Sequence, residues 1–153
     1  MSNIELNNVN SFDQAIKIIE DGEETNFKFN WGEALRVFCS KGLCDIVRLI
    51  LAKGSKKKYN FNWDEALRVT NNLNTLELIV EEGQILNHKF NWNSKLQDAC
   101  LKSQNSIVDF VLNKGGQEGY AFDWNEALRK SCEGDNRCLA LRMIDLGATD
   151  WTS

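Results

Sequence analysis

Four copies of one phrase divide the chain: FNWGEALR (29–36), FNWDEALR (61–68), FNWNSKLQ (90–97) and FDWNEALR (122–129). A glycine stands nine residues before each tryptophan, as Gly22/Trp31, Gly54/Trp63, Gly83/Trp92 and Gly115/Trp124. With Gly147, the glycines step by 32, 29, 32 and 32 residues. Self-similarity at a fixed period of this length is the mark of a repeat array, in which one supersecondary element is stacked on copies of itself. This single feature excludes most other architectures.

Each repeat reads as a loop followed by two short helices. Asn30, Asn62, Asn91 and Asp123 precede the tryptophans and are natural N-caps. Glu33, Glu65 and Glu126 follow three residues later and predict a capping box; Ser94 takes that place in the third copy and predicts a cap weaker by up to about 1 kcal/mol. The first helix then carries a short apolar stripe, such as Ala34, Leu35 and Phe38. The second carries Ile46, Val47, Ile50 and Leu51, at the spacing of one helical face. Its counterparts are Leu76, Ile79 and Val80, then Ile107, Val108, Val111 and Leu112, then Leu139, Ala140, Met143 and Ile144. The following glycine reads as a left-handed helix stop. Neither helix of a pair buries its stripe alone, so stacking must supply the core.

A helix–turn–helix repeat of this length resembles the ankyrin repeat from about residue 11 to 153. EALR (33–36) falls where ankyrin repeats carry their Thr-Pro-Leu-His phrase, Gly42 at the glycine of the inter-helix turn, and DIVRLILAKG (45–54) at the second helix. The chain departs from that pattern in lacking Thr-Pro. Arg36, Arg68 and Arg129 stand in the histidine place, and the loop is one residue short and rich in aromatics. The resemblance implies an all-α ankyrin-type solenoid of about four repeats plus an N-terminal half repeat, forming a single domain over 1–153. The capping helix would cover 11–22, the repeats about 23–54, 55–83, 84–115 and 116–147, and 148–153 a truncated fifth. The phrase with GATDW (147–151) is similar to ankyrin arrays encoded by giant DNA viruses of amoebae. That likeness implies a viral protein acting in the host cell or carried in the virion.

Two irregularities stand out. The repeat between Trp63 and Gly83 is three residues short around 70–73, so its first helix should end nearly a turn early. At the N-terminus, Ser11 and Gln14 form a further capping pair before Ala15, Ile16, Ile18 and Ile19, with residues 1–10 free to fray. The chain stops as a fifth repeat begins at Thr149, Asp150 and Trp151; an uncovered end there would serve as a dimer or partner contact, unless Trp151 folds back over its own last helix pair.

Charge narrows the partners. A net charge of −4 over 153 residues disfavours nucleic acid and anionic membranes, which call for a basic excess. No apolar run approaches the roughly 20 residues that span a bilayer. The start, MSNIELNNVN, has neither the basic nor the apolar region of a signal peptide. Cys39, Cys44, Cys100, Cys132 and Cys138 are an odd set, which fits free thiols in a reducing intracellular compartment.

An enzyme is not expected. His88 is the one histidine, and there is no C-x-x-C pair, metal-ligand cluster or phosphate loop. No cofactor or metal is implied. Cys39, Cys100 and Cys132 share one register, eight residues after the tryptophan, which reads as a small buried position.

Ankyrin-type proteins bind protein partners through loop tips and the exposed side of the first helices, so the resemblance directs attention there. The four loops carry formal charges of about −1, +3, +1 and −2. The candidate partner-binding residues are Lys56, Lys57 and Lys58 in the second loop, Ile85, Leu86 and His88 in the third, and Glu118 and Tyr120 in the fourth. Lys41 and Lys102, at the ends of first helices, join them. Exposed aliphatics such as Ile85 and Leu86 mark contact sites, unless they tuck against a neighbouring loop. Phe29, Phe61, Phe90 and Phe122, with Phe27, Tyr59, His88 and Tyr120 two residues earlier, recur in every repeat and are read as structural stacking. The arginines at 36, 68 and 129 are read as donors to carbonyls of the neighbouring loop.

Overall fold

The structure, a computed structural model, describes residues 3–148. Among them are ten helices and no strand. They divide into two compact units, Met1–Lys89 and Phe90–Ser153. The first holds α1 (Asn3–Asn7), α2 (Phe12–Glu24), α3 (Trp31–Lys41), α4 (Cys44–Lys56), α5 (Trp63–Val69) and α6 (Leu73–Ile85). The second holds α7 (Trp92–Leu101), α8 (Asn105–Gln117), α9 (Trp124–Glu133) and α10 (Arg137–Leu146). Within a repeat, the two helices pack together, as in α3 on α4 and α7 on α8. Between repeats, first helices pack on first helices (α3 on α5, α7 on α9) and second on second (α2 on α4, α4 on α6).

The apolar stripes form the core as their spacing requires. Ala34, Leu35 and Phe38 are buried, as are Ile46, Val47, Ile50 and Leu51. Leu76, Ile79, Val80, Ile107, Val108, Val111, Leu139 and Met143 follow suit, while Leu112, Ala140 and Ile144 are half-buried. The side chains of Asn30, Asn62, Asn91 and Asp123 accept the backbone N–H three residues on, at 3.0, 3.1, 3.2 and 3.1 Å. The other half of the expected capping box is not made. Glu33 accepts from Asn7 at 3.2 Å, and Glu65 accepts from Arg68 at 2.6 Å. Glu126 is paired with Arg129. At Glu65 and Glu126 a charged donor one turn away outcompetes a neutral backbone N–H for the carboxylate, whereas beside Glu33 the Asn30 N–H donates to the Asn3 side chain instead. Ser94 therefore forgoes no reciprocal bond, and its cap is as long as the others.

The same pairs add to the reading of the arginines. Arg68 and Arg129 each bind an acid of their own helix, Glu65 and Glu126, a partner the reading had not assigned them. The Arg68 guanidinium holds the Glu65 carboxyl below its ordinary range.

The repeated glycines do not stop helices. Gly22, Gly54, Gly83 and Gly115 lie inside α2, α4, α6 and α8, each of which runs two residues further. Their role is space. A Cβ at Gly22, Gly54 or Gly115 would fall on the ring of Phe29, Phe61 or Phe122. The left-handed residue comes four positions later, at Asn26, Lys58, Asn87 and Gly119. Only Gly147 ends its helix, at φ 144°. Gly42 does close α3 in the left-handed region, at φ 71°.

The N-terminus is more than a half repeat. Residues 3–7 form α1, with Leu6 and Val9 buried, and the Asn3 amide donates to the Asn30 carbonyl at 3.1 Å. The described part of 1–10 is thus packed rather than frayed. The short repeat is as expected: α5 has 7 residues against 11 in α3. Buried Thr70 ends it, its hydroxyl donating to the Ala66 carbonyl at 2.6 Å. The readings made on Thr149, Asp150 and Trp151, including the open C-terminal end, lie outside the described residues.

Cys39 and Cys100 are buried, but Cys132 is exposed, against the shared-register expectation. Thr70 beyond α5 covers Cys39, and Ser131 on α9 covers Cys100. No further first helix lies over α9 among the described residues. Burial pushes the Cys39 thiol up to about 12 from 9.0, with the Thr70 hydroxyl opposing, and raises Cys100 likewise. A raised folded-state value leaves stability intact below pH 9.0 and erodes it as the pH climbs toward 12. Iodoacetamide in mildly alkaline buffer is expected to alkylate Cys132 and Cys138 in the native protein. Cys39 and Cys100 should react only after denaturation, which peptide mass spectrometry reads directly.

Candidate interaction surface

Every loop between repeats is closed in the same way. The N–H five residues after the glycine donates back to the glycine carbonyl. The bonds run from Phe27 to Gly22, Tyr59 to Gly54, His88 to Gly83 and Tyr120 to Gly115, at 2.8, 2.9, 2.9 and 2.9 Å. This bond needs the left-handed residue just before it, which turns the chain sharply off the helix end. Alternate residues then stack their rings. Centroids lie 4.8 Å apart for Phe27–Phe29 and 5.2 Å for Phe29–Trp31; Tyr59–Phe61 and Phe61–Trp63 give 5.0 and 5.7 Å. Tyr120–Phe122 and Phe122–Trp124 are both at 5.1 Å, and Phe90–Trp92 at 5.5 Å. Phe29, Phe61 and Phe90 are buried with their tryptophans, which accords with structural stacking.

Consecutive loops are also tied to each other. The Tyr59 hydroxyl donates to the Asn30 side chain at 3.4 Å, and the Tyr120 hydroxyl to Asn91 at 3.3 Å. Trp92 Nε1 donates to the Glu118 carboxylate at 2.6 Å.

The roots of the loops are thus fixed by buried rings, and the tips project. Lys56, Lys57 and Lys58 are all exposed, with Lys58 in the left-handed position at φ 58°. Ile85 ends α6 and Leu86 caps it, and they are 71% and 63% exposed, so neither is tucked under a neighbour. The remaining candidates are engaged within the chain. His88 Nε2 lies 3.3 Å from Asp64 Oδ2, while Glu118 and Tyr120 brace the preceding loop. Lys41 Nζ donates to the Asn7 carbonyl at 2.9 Å, and Lys102 pairs with Asp98 at 3.3 Å. The structure therefore separates the ten candidates into five exposed tip residues and five with side-chain partners within the chain.

A cavity of about 380 Å³ opens beside the first loop, lined by Glu23, Asn26, Phe27, Lys28, Phe29, Trp31 and Lys57. The sequence reading did not single it out. Its signal was present, however: the third position after Gly54, Gly83 and Gly115 reads Lys57, Leu86 and Glu118, a change of charge class at one register. No helix among the described residues is long and apolar enough to cross a membrane, and no three His, Cys, Asp or Glu side chains gather as a metal site. No protein-family model matches the sequence, and no curated protein matches it significantly.

Proposed function

We propose that this chain is an ankyrin-type repeat protein that binds a partner protein through its loop tips. The observation that carries the reading is the contrast within each loop. Closure, stacking and capping repeat from loop to loop, while the exposed tips differ in charge and polarity: Glu23 and Glu24, then three lysines, then Ile85 and Leu86, then Gln117 and Glu118. A framework held constant beneath a changing surface is how repeat arrays encode specificity. The likeness to viral ankyrin arrays makes a host-cell protein the class of partner to seek, in the host cytoplasm or on entry of the virion.

Affinity capture with crosslinking from an amoebal lysate tests this. Wild type is compared with Ile85→Asp/Leu86→Asp and with Lys56→Glu/Lys57→Glu/Lys58→Glu, each checked for unchanged far-UV circular dichroism. The expected result is one protein retained by wild type and lost with one of the folded variants. Equal recovery by all three, or recovery of the bait alone, overturns the reading. Self-association through the C-terminal end is the rival, and light scattering of the same preparation would reveal it as a concentration-dependent mass.

A further inference from the structure

We propose that the cavity beside Trp31 receives an acidic side chain, a glutamate or aspartate from a partner peptide. This deepens the protein-binding reading and rests on it.

The second compact unit shows what the site is built to hold. There, Glu118, three residues after Gly115, reaches back to the tryptophan of the preceding repeat and accepts from Trp92 Nε1 at 2.6 Å. The first unit repeats the same arrangement of loop on loop. Its tyrosine-to-cap bond, Tyr59 to Asn30 at 3.4 Å, matches Tyr120 to Asn91 at 3.3 Å. The position three residues after Gly54 is held by Lys57. An ammonium has donors and no acceptor, so it cannot take the bond that Glu118 takes. The first unit thus keeps the indole and loses the carboxylate, and the cavity lies on the wall formed by Trp31.

The charges there favour replacing that carboxylate from outside. Lys28 and Lys57 both line the cavity. The acid that also lines it, Glu23, is neutralised by Lys53 at 2.9 Å. Phe27, Phe29 and Trp31 supply apolar walls for the methylene stem of the incoming side chain. A cavity walled by aromatic rings and lined by one indole and two lysines suits a carboxylate on an apolar stem better than a bare tetrahedral anion, which has no stem to lay against the rings.

Indole ¹⁵N–¹H spectra of the full chain test the assignment, with the Trp31 signal identified by Trp31→Phe. The probes are an end-blocked pentapeptide with a central glutamate, its glutamine counterpart, the glutamine peptide with a free C-terminus, and sodium phosphate. The expected result is a saturable downfield shift of the Trp31 signal with the glutamate peptide alone. Lys57→Glu, an exposed loop change, should move that signal downfield without peptide, as an internal occupant. It should also weaken the glutamate peptide at least about tenfold. Equal shifts from the glutamine peptides or from phosphate overturn the assignment, as does Lys57→Glu leaving both signal and affinity unchanged. If the peptide fails while the Ile85→Asp/Leu86→Asp variant still loses a captured partner, only this inference falls. If the peptide binds and capture finds no partner, the cavity assignment stands and the wider reading falls.

Discussion

Trp92→Ala is expected to lower the unfolding free energy by about 3–5 kcal/mol, the usual range for emptying a buried tryptophan site. Trp92 is fully buried, stacks on Phe90 at 5.5 Å and donates to Glu118 at 2.6 Å. Its removal leaves a void under the loop and a carboxylate without its donor. The urea midpoint, read by far-UV circular dichroism, measures the loss. Trp92→Phe should fall between wild type and alanine, because it keeps most of the packing and forgoes the bond. Trp124→Ala should lose less, since Trp124 is only half-buried. A Trp92→Ala loss under about 1 kcal/mol would mean that the ring stacks do not hold the loops down.

Adjacent glycines should respond with opposite signs. Gly115→Ala places a methyl on the Phe122 ring, and overpacking of this kind costs about 1–3 kcal/mol. Gly116→Ala meets nothing within 4 Å in the same helix, so it should gain up to about 1 kcal/mol from helix propensity. Thermal unfolding of the two variants side by side reads the contrast. Phe122→Leu in the Gly115→Ala background should recover part of the loss by freeing the contested volume. If both glycines tolerate alanine equally, the ring does not need the space that their neighbour vacates.

These glycines also show where the sequence was legible and where it was not. The period, the N-caps at Asn30, Asn62, Asn91 and Asp123, the buried stripes and the early end of α5 all follow from local spacing, and the structure has them. A conserved spacing of glycine does not say whether the chain needs left-handed freedom or empty space. Here the left-handed place is filled by Asn26, Lys58, Asn87 and Gly119, too mixed a set to announce itself. Glu65 and Glu126 satisfied the capping pattern, yet an arginine three residues on was the stronger donor.

Cys132 shared the register of Cys39 and Cys100, but burial depends on the next helix, which register does not report. Lys95 is the opposite case. It replaces the alanine of the other three copies and is nonetheless buried. The bond from Trp92 to Glu118 spans 26 residues, beyond any pattern in local periodicity.

The loop closure bears on how such a chain changes over generations. The rings, the glycine and the backbone bond that shape each loop are all drawn from residues outside the tip. Codons for 55–57, 84–86 and 116–117 can therefore drift or be selected with little penalty to folding, one loop at a time, whereas Glu118 is held by its bond to Trp92. A lineage can retarget one loop while its neighbours keep their old contacts, so new binding can be acquired before old binding is lost.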